Sequence, residues 1–403
     1  MVATGLLAAV AGWEDLLARG LAIVVGFSLL WAAIMAAVGV MLVPRPSNQR
    51  LAVWVSDACH VVFRTIAHRA RNYAQLDRYL AVQGPATVLL YLVLFLLIFV
   101  GAFSFIFLGV TGCAPLEAFY RSGSSMSTLG VVNASGPGAM TVMFVAAFCG
   151  TTVISVFIGF LLTLYTAYTA RETYMSKIAL SVGEPGWGPE TVARLQRLEG
   201  SFSDDEAADC VQWICAMRVS QYIYPLLNHF RSPVRNRHWV ATLLAILDAT
   251  AIRAAAIEGK VSTSSARLLA QGTQAFLSLK DSEVSRTSST DSEGHVVTWM
   301  IEEEIMGAKP GAGVPDCGIS RAEWDQAMEF LAANNIAMLP DRDASWQIFS
   351  RIRARYFEPA YFLAEQLSAV NAPWSGPRHP AYEFPPEWPY LSRHYFAKDK
   401  PAG

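Results

Sequence analysis

Three uncharged apolar stretches, residues 21–43, 86–110 and 139–165, constrain this chain more than any other feature. Each meets the length of about 20 apolar residues needed to cross ~30 Å of hydrocarbon. Hydrophobic residues make up 53% of the chain and charged residues 16%, more apolar content than a soluble core of this size absorbs. Part of the surface is therefore expected to face lipid.

The flanking charges give an orientation. Between the first two stretches lie Arg45, Arg50, Arg64, Arg69, Arg71 and Arg78 against Asp57 and Asp77, whereas between the last two lie Arg121 and Glu117. The positive-inside bias makes the first linker cytoplasmic and the second external. The N-terminus is then outside and the large C-terminal part inside, in a plasma membrane of the bacterial inner-membrane kind.

Around these spans the chain divides as follows. Residues 1–19 read as a short interfacial helix stopped by Gly20, residues 20–44 as the first transmembrane helix, and residues 45–85 as an amphipathic linker, helical over residues 53–82, with His60, Arg64 and His68 on one stripe. Residues 86–170 form a second pair of spans with a loop between them. Residues 171–372 are expected to be a helical cytoplasmic domain, with capping boxes at Ser203–Glu206 and Ser320–Glu323 and a further start at Ser232-Pro233 leading to a helix closed by Gly259. Asp248 and Arg253 in that apolar helix are expected to pair structurally. Residues 281–318 are expected to include a mobile loop, and residues 373–403, rich in proline and aromatics, read as an extended strap. The fold class is an all-α integral membrane protein with three transmembrane helices, a re-entrant helix and loop, and a helical cytoplasmic domain.

Several functions are excluded by pattern. A net charge of −2 without a polybasic tail argues against nucleic acid as a partner. Cys59, Cys113, Cys149, Cys210, Cys215 and Cys317 fit neither a disulfide framework nor zinc-ligand pairs, and no H-E-x-x-H occurs. Gly123 to Ser127 lacks the final glycine and the preceding strand of a nucleophile elbow, and no dinucleotide or Walker motif is present. No enzymatic activity, cofactor or metal is expected.

The loop at residues 111–138 carries the chemistry. Pro115 suits a first helical turn, and Leu116, Phe119, Tyr120 and Met126 are expected to supply apolar contacts along a helix ending near Ser127. About a dozen residues rise roughly 18 Å, enough to enter a bilayer and not to cross it. The chain then returns through Thr128, Leu129, Gly130, Val131, Val132 and Asn133. Non-helical backbone at that depth is tolerated where protein buries it or where it lines a wet cavity, and bare carbonyls there can replace a cation's water shell.

The order of span, half-helix, S-T-L-G-V-V and second span resembles the pore module of the tetrameric potassium-channel superfamily, here with an additional N-terminal span. By that resemblance Thr128 matches the filter threonine, Leu129 the valine, Gly130 the first glycine, Val131 the tyrosine and Asn133 the aspartate. Val132 stands where the family has its second glycine, and Val131 lacks the aromatic ring. These departures predict a wider or shorter filter passing several monovalent cations, potassium or sodium, in place of strict potassium selectivity. The resemblance implies a homotetramer, with Gly150 and Gly159 as bending points, Thr151, Thr152 and Ser155 lining a cavity, and Phe157, Leu161 and Tyr165 narrowing its inner mouth. Glycines and hydroxyls that only let helices pack closely are the plainer reading of those positions. Two rivals for the whole chain stand beside this one: a non-conducting membrane-anchored sensor or scaffold with a sealed loop, and a potassium carrier, disfavoured because such carriers join four pore modules in one chain.

Overall fold

The computed structural model describes residues 2–41, 50–67, 69–132, 135–199, 203–258, 262–287 and 314–378. The chain folds as two compact units, Met1–His60 with Pro85–Tyr165, and Val61–Gly84 with Thr166–Gly403. Among the described residues everything regular is helical apart from one isolated antiparallel bridge between Ile257 and Met338. Four helical segments there are long and apolar enough to cross a membrane: Trp13–Met41, Tyr73–Thr111, Pro137–Val182 and Trp239–Ala256. Three were expected, and several such helices suggest a multi-pass membrane protein.

The first unit contains α1 (Val2–Met41), the start of α2 (Arg50–Ala67), nearly all of α4 (Gln83–Thr111), α5 (Pro115–Met126) and α6 (Pro137–Val182) as far as Tyr165. Gly20 does not stop a helix: α1 runs through it without a break, so no separate helix over residues 1–19 exists. A glycine inside an otherwise apolar helix costs only about 1 kcal/mol, which tertiary packing overrides. Small residues draw α1 and α4 together. A Cβ placed on Gly26 would lie 2.8 Å from the Ala102 carbonyl oxygen, and one on Gly109 would lie 2.7 Å from that of Arg19. Large apolar side chains such as Phe27, Trp31, Leu97 and Phe148 point outward.

The second unit holds the end of α2, α3 (Tyr73–Ala81), α6 from Thr166, α7 (Gly188–Glu199), α8 (Asp204–Ile223), a 3₁₀ turn (Pro225–His229), α9 (Trp239–Ala256), α10 (Thr263–Thr287), α11 (Arg321–Ala333), α12 (Arg342–Arg353) and α13 (Phe357–Gln366). The centre is α9, in which every residue but Arg253 and Ala254 is buried. It is packed by α7, α10, α12 and α13. Both capping boxes form as the sequence predicts, at Ser203 with Glu206 and at Ser320 with Glu323.

Four expectations are corrected here. The linker over residues 45–85 is not one helix, because the Asn72 side chain caps Gln75 N–H at 2.9 Å and starts α3 anew. The rest of its stripe, His68, lies outside the described residues. Helix α9 begins at Trp239, not at Ser232-Pro233, since the Ser232 hydroxyl is held by Glu172 at 2.7 Å and His238 does the capping. Gly259 lies outside the described residues. Asp248 pairs with Arg353, not with Arg253: a distance of 105 residues in sequence hides a contact of 2.9 Å. Residues 281–287 are helical rather than loop, while residues 288–313 and 379–403 lie outside the described residues. At the head of the tail, Trp374 is buried and stacks edge-on to Trp187 at 5.9 Å.

Candidate pore loop

The site is built outward from α5. Its bounds, Pro115–Met126, match the sequence expectation, with proline in the first turn where its missing N–H is no loss. Twelve residues make it about 18 Å long, well short of the ~30 Å hydrocarbon layer. Met126 is buried as expected, but the other three residues expected to make apolar contacts are not. Leu116, Phe119 and Tyr120 are exposed, and the buried residues are Ala118, Ser122, Ser124, Ser125 and Met126. Small side chains allow the close approach: Ser122 Oγ donates to the Val100 carbonyl of α4 at 2.7 Å. A Cβ on Gly150 of α6 would collide with the Met126 carbonyl. Gly150 is thus a contact position, whereas Gly159 has open space around it.

The returning leg is held by Ser124. Its carbonyl accepts Leu129 N–H at 3.1 Å, and its hydroxyl oxygen accepts Val131 N–H at 2.9 Å and Val132 N–H at 3.3 Å. In a planar trans peptide the C=O points opposite to the N–H. The carbonyls of Thr128, Gly130 and Val131 are therefore turned away from Ser124, and no hydrogen bond among the described residues engages them. Thr128 and Gly130 sit at φ 56° and 64°. Glycine accepts that region freely. A β-branched threonine does so at a cost of order 1 kcal/mol or more, and the N–H groups of Thr128 and Leu129, tied to Ser125 and Ser124, hold it there. Leu129 and Val131 are 70% and 77% exposed, so two of the three apolar side chains of this leg lack cover within one chain. Asn133 lies outside the described residues.

Helix α6 presents the remaining candidates. Thr151, Thr152 and Ser155 are exposed, each hydroxyl returning to a carbonyl within its own helix, Ser155 to Thr151 at 2.8 Å for example. Thr151, Ser155, Ile158, Leu162 and Tyr165 recur at alternating steps of four and three, and all are exposed. That spacing makes one continuous stripe, hydroxyl-bearing at one end and apolar at the other. Leu161 is exposed beside it, but Phe157 is only 3% exposed and packs on Phe160. Ile158, one step of 100° on from Phe157, lies on the exposed stripe instead.

Ser124 and Ser122 are not among the residues singled out from the sequence. Ser122 lies to the side of α5 away from Tyr120, whereas Ser124, four residues after Tyr120, lies on that residue's ridge and meets the returning leg from there. Comparison with protein-family models, curated proteins and solved structures finds no match to this chain.

Proposed function

We propose that this chain is one subunit of a symmetric oligomeric channel, built like a potassium channel, that passes monovalent cations passively across a bacterial inner membrane. In this reading α5 enters from outside, residues 128–133 return as a filter, and the second unit is cytoplasmic. The observation that carries it is the orientation of three peptides: their N–H groups are taken up by Ser124, leaving the Thr128, Gly130 and Val131 carbonyls turned away from Ser124 and without a hydrogen bond among the described residues. Unengaged carbonyls on a loop between two lipid-length helices need water or a cation. One chain supplies one such loop, so a conducting path requires copies around a rotation axis, a tetramer by the family resemblance. The stripe on α6 is the matching inner wall, and the partially negative end of α5 favours a cation at the same place.

The uncovered Leu129 and Val131 favour a second reading, a sealed loop in a non-conducting sensor or scaffold. Reconstitution of the full chain into liposomes separates the two. The channel reading expects reversal potentials that follow potassium and sodium gradients and ignore chloride. It further expects Gly130→Val to abolish flux while the oligomer, measured by light scattering, persists. Silence of the wild-type protein, or unaltered flux in the variant, would overturn it.

A further inference from the structure

Within the second unit, α6, α7, α8 and α9 enclose a cavity of about 130 Å³. An engineered protein cavity of similar size, about 150 Å³, takes up a benzene ring. Its apolar wall is formed by Ile178, Val182, Leu195 and Ile246. The charged groups in its lining are Lys177, Glu206, Asp209 and Arg253.

Three of these four are already engaged. Lys177 Nζ meets Asp209 at 2.5 Å. Glu206 accepts the Ser203 N–H and hydroxyl at 3.0 and 3.3 Å as the partner in the α8 capping box. The Cys210 thiol is also in the lining, hydrogen-bonded with Tyr174 and pushed up to about 12 by burial, so it brings no negative charge. Thr191 and Thr250 return their hydroxyls to helix carbonyls at 3.0 and 2.8 Å. Arg253 remains. It is half-buried, makes no hydrogen bond or ion pair among the described residues, and has no acidic group close enough to act on its charge. A guanidinium held partly out of water without an anion is a costly arrangement that a planar carboxylate relieves with two parallel hydrogen bonds.

We propose that this cavity binds a small monocarboxylate of roughly benzoate size, its carboxylate on Arg253 and its apolar body against Ile178, Val182, Leu195 and Ile246. The apolar wall offers a bare phosphate nothing. Cation conduction is not assumed, and the site stands or falls without it.

The test is calorimetric titration of the detergent-solubilised full-length protein with benzoate, benzyl alcohol and inorganic phosphate. Tryptophan fluorescence provides a second readout, because Trp213 stacks on the cavity residue Tyr174 at 5.0 Å. Saturable binding of benzoate is expected, weakened ~10-fold or more in Arg253→Gln, with neither benzyl alcohol nor phosphate competing. Arg253→Lys keeps the charge and loses the fork, so its affinity should fall between the two. It carries the test if Arg253→Gln does not fold. Absence of saturable benzoate binding, equal affinity in wild type and both variants, or displacement of benzoate by phosphate would overturn the proposal.

Discussion

Helices α6 and α9 are both apolar enough to cross a membrane, yet the most apolar window of α6 is 22% buried and that of α9 is 89% buried. The difference lies in what interrupts them. Residues 139–165 of α6 carry no charge, and large side chains such as Phe144, Phe148, Ile158 and Leu162 point outward. Helix α9 carries Asp248 at its middle, held by Arg353 at 2.9 Å and Tyr356 at 2.8 Å. A carboxylate in that position is costly against lipid and affordable only where partners are supplied. The first unit is thus joined by glycines and serines and clothed in apolar side chains, and the second is the reverse.

The strongest way to break the contrast is to remove Arg353. Its guanidinium also donates to the Cys317 carbonyl and, at 2.5 Å, to the Trp374 carbonyl, so it ties α9 and α12 to the segment after α13. Arg353→Leu leaves Asp248 buried and unpaired and should cost about 3–5 kcal/mol, read as a large fall in the thermal midpoint. Arg353→Leu with Asp248→Leu should recover part of this and not all, because two carbonyls stay unmet. In the first unit the corresponding damage comes from adding atoms. Gly150→Val drives a side chain into the Met126 carbonyl and should cost about 1–3 kcal/mol. A Gly159→Val variant, with open space around it, serves as the control and should melt near wild type.

Much of this contrast was legible in the sequence, because charge-free length, capping boxes and a proline at a helix start are local signals. The bounds of α5 follow from them. What was not legible depends on partners far along the chain. Nothing near Asp248 announces Arg353, and nearby Arg253 is the misleading local choice. The packing of α5 was misread for a related reason: its small side chains Ala118, Ser122, Ser124 and Ser125 make the close contacts within the chain, and Leu116, Phe119 and Tyr120 are left outward. Thr128 shows the limit of residue preference, since two backbone hydrogen bonds outweigh its dislike of positive φ.

The second unit's dependence on buried polar groups also predicts a response to acid. His238 accepts Val240 N–H on Nδ1 and is buried, and burial first, then the charges of Arg231, Arg171 and Arg378, hold its pKa well below 6.5. The unfolded chain binds the proton that the folded one refuses, so stability is full above about pH 6.5 and falls as pH drops below it. The slope approaches 1.4 kcal/mol per pH unit until the folded histidine itself titrates. His238→Asn keeps a capping oxygen and removes the titration, so its melting temperature should change less between pH 7 and pH 5. An equal loss in wild type and variant would assign the acid sensitivity elsewhere.

Ser124→Ala is the gentlest change and the one that best separates stability from function. It removes the hydroxyl that accepts Val131 and Val132 N–H, on a segment exposed enough for water to replace it in part, and should cost about 1 kcal/mol. Released peptides no longer need to present the Gly130 and Val131 carbonyls to one side, so flux should fall far more than the melting temperature does. Ser124→Thr, which keeps the oxygen, should restore flux if the hydroxyl is what orients the leg. Loss of flux in both variants would point to the tight fit of α5 on its neighbours rather than to those two hydrogen bonds.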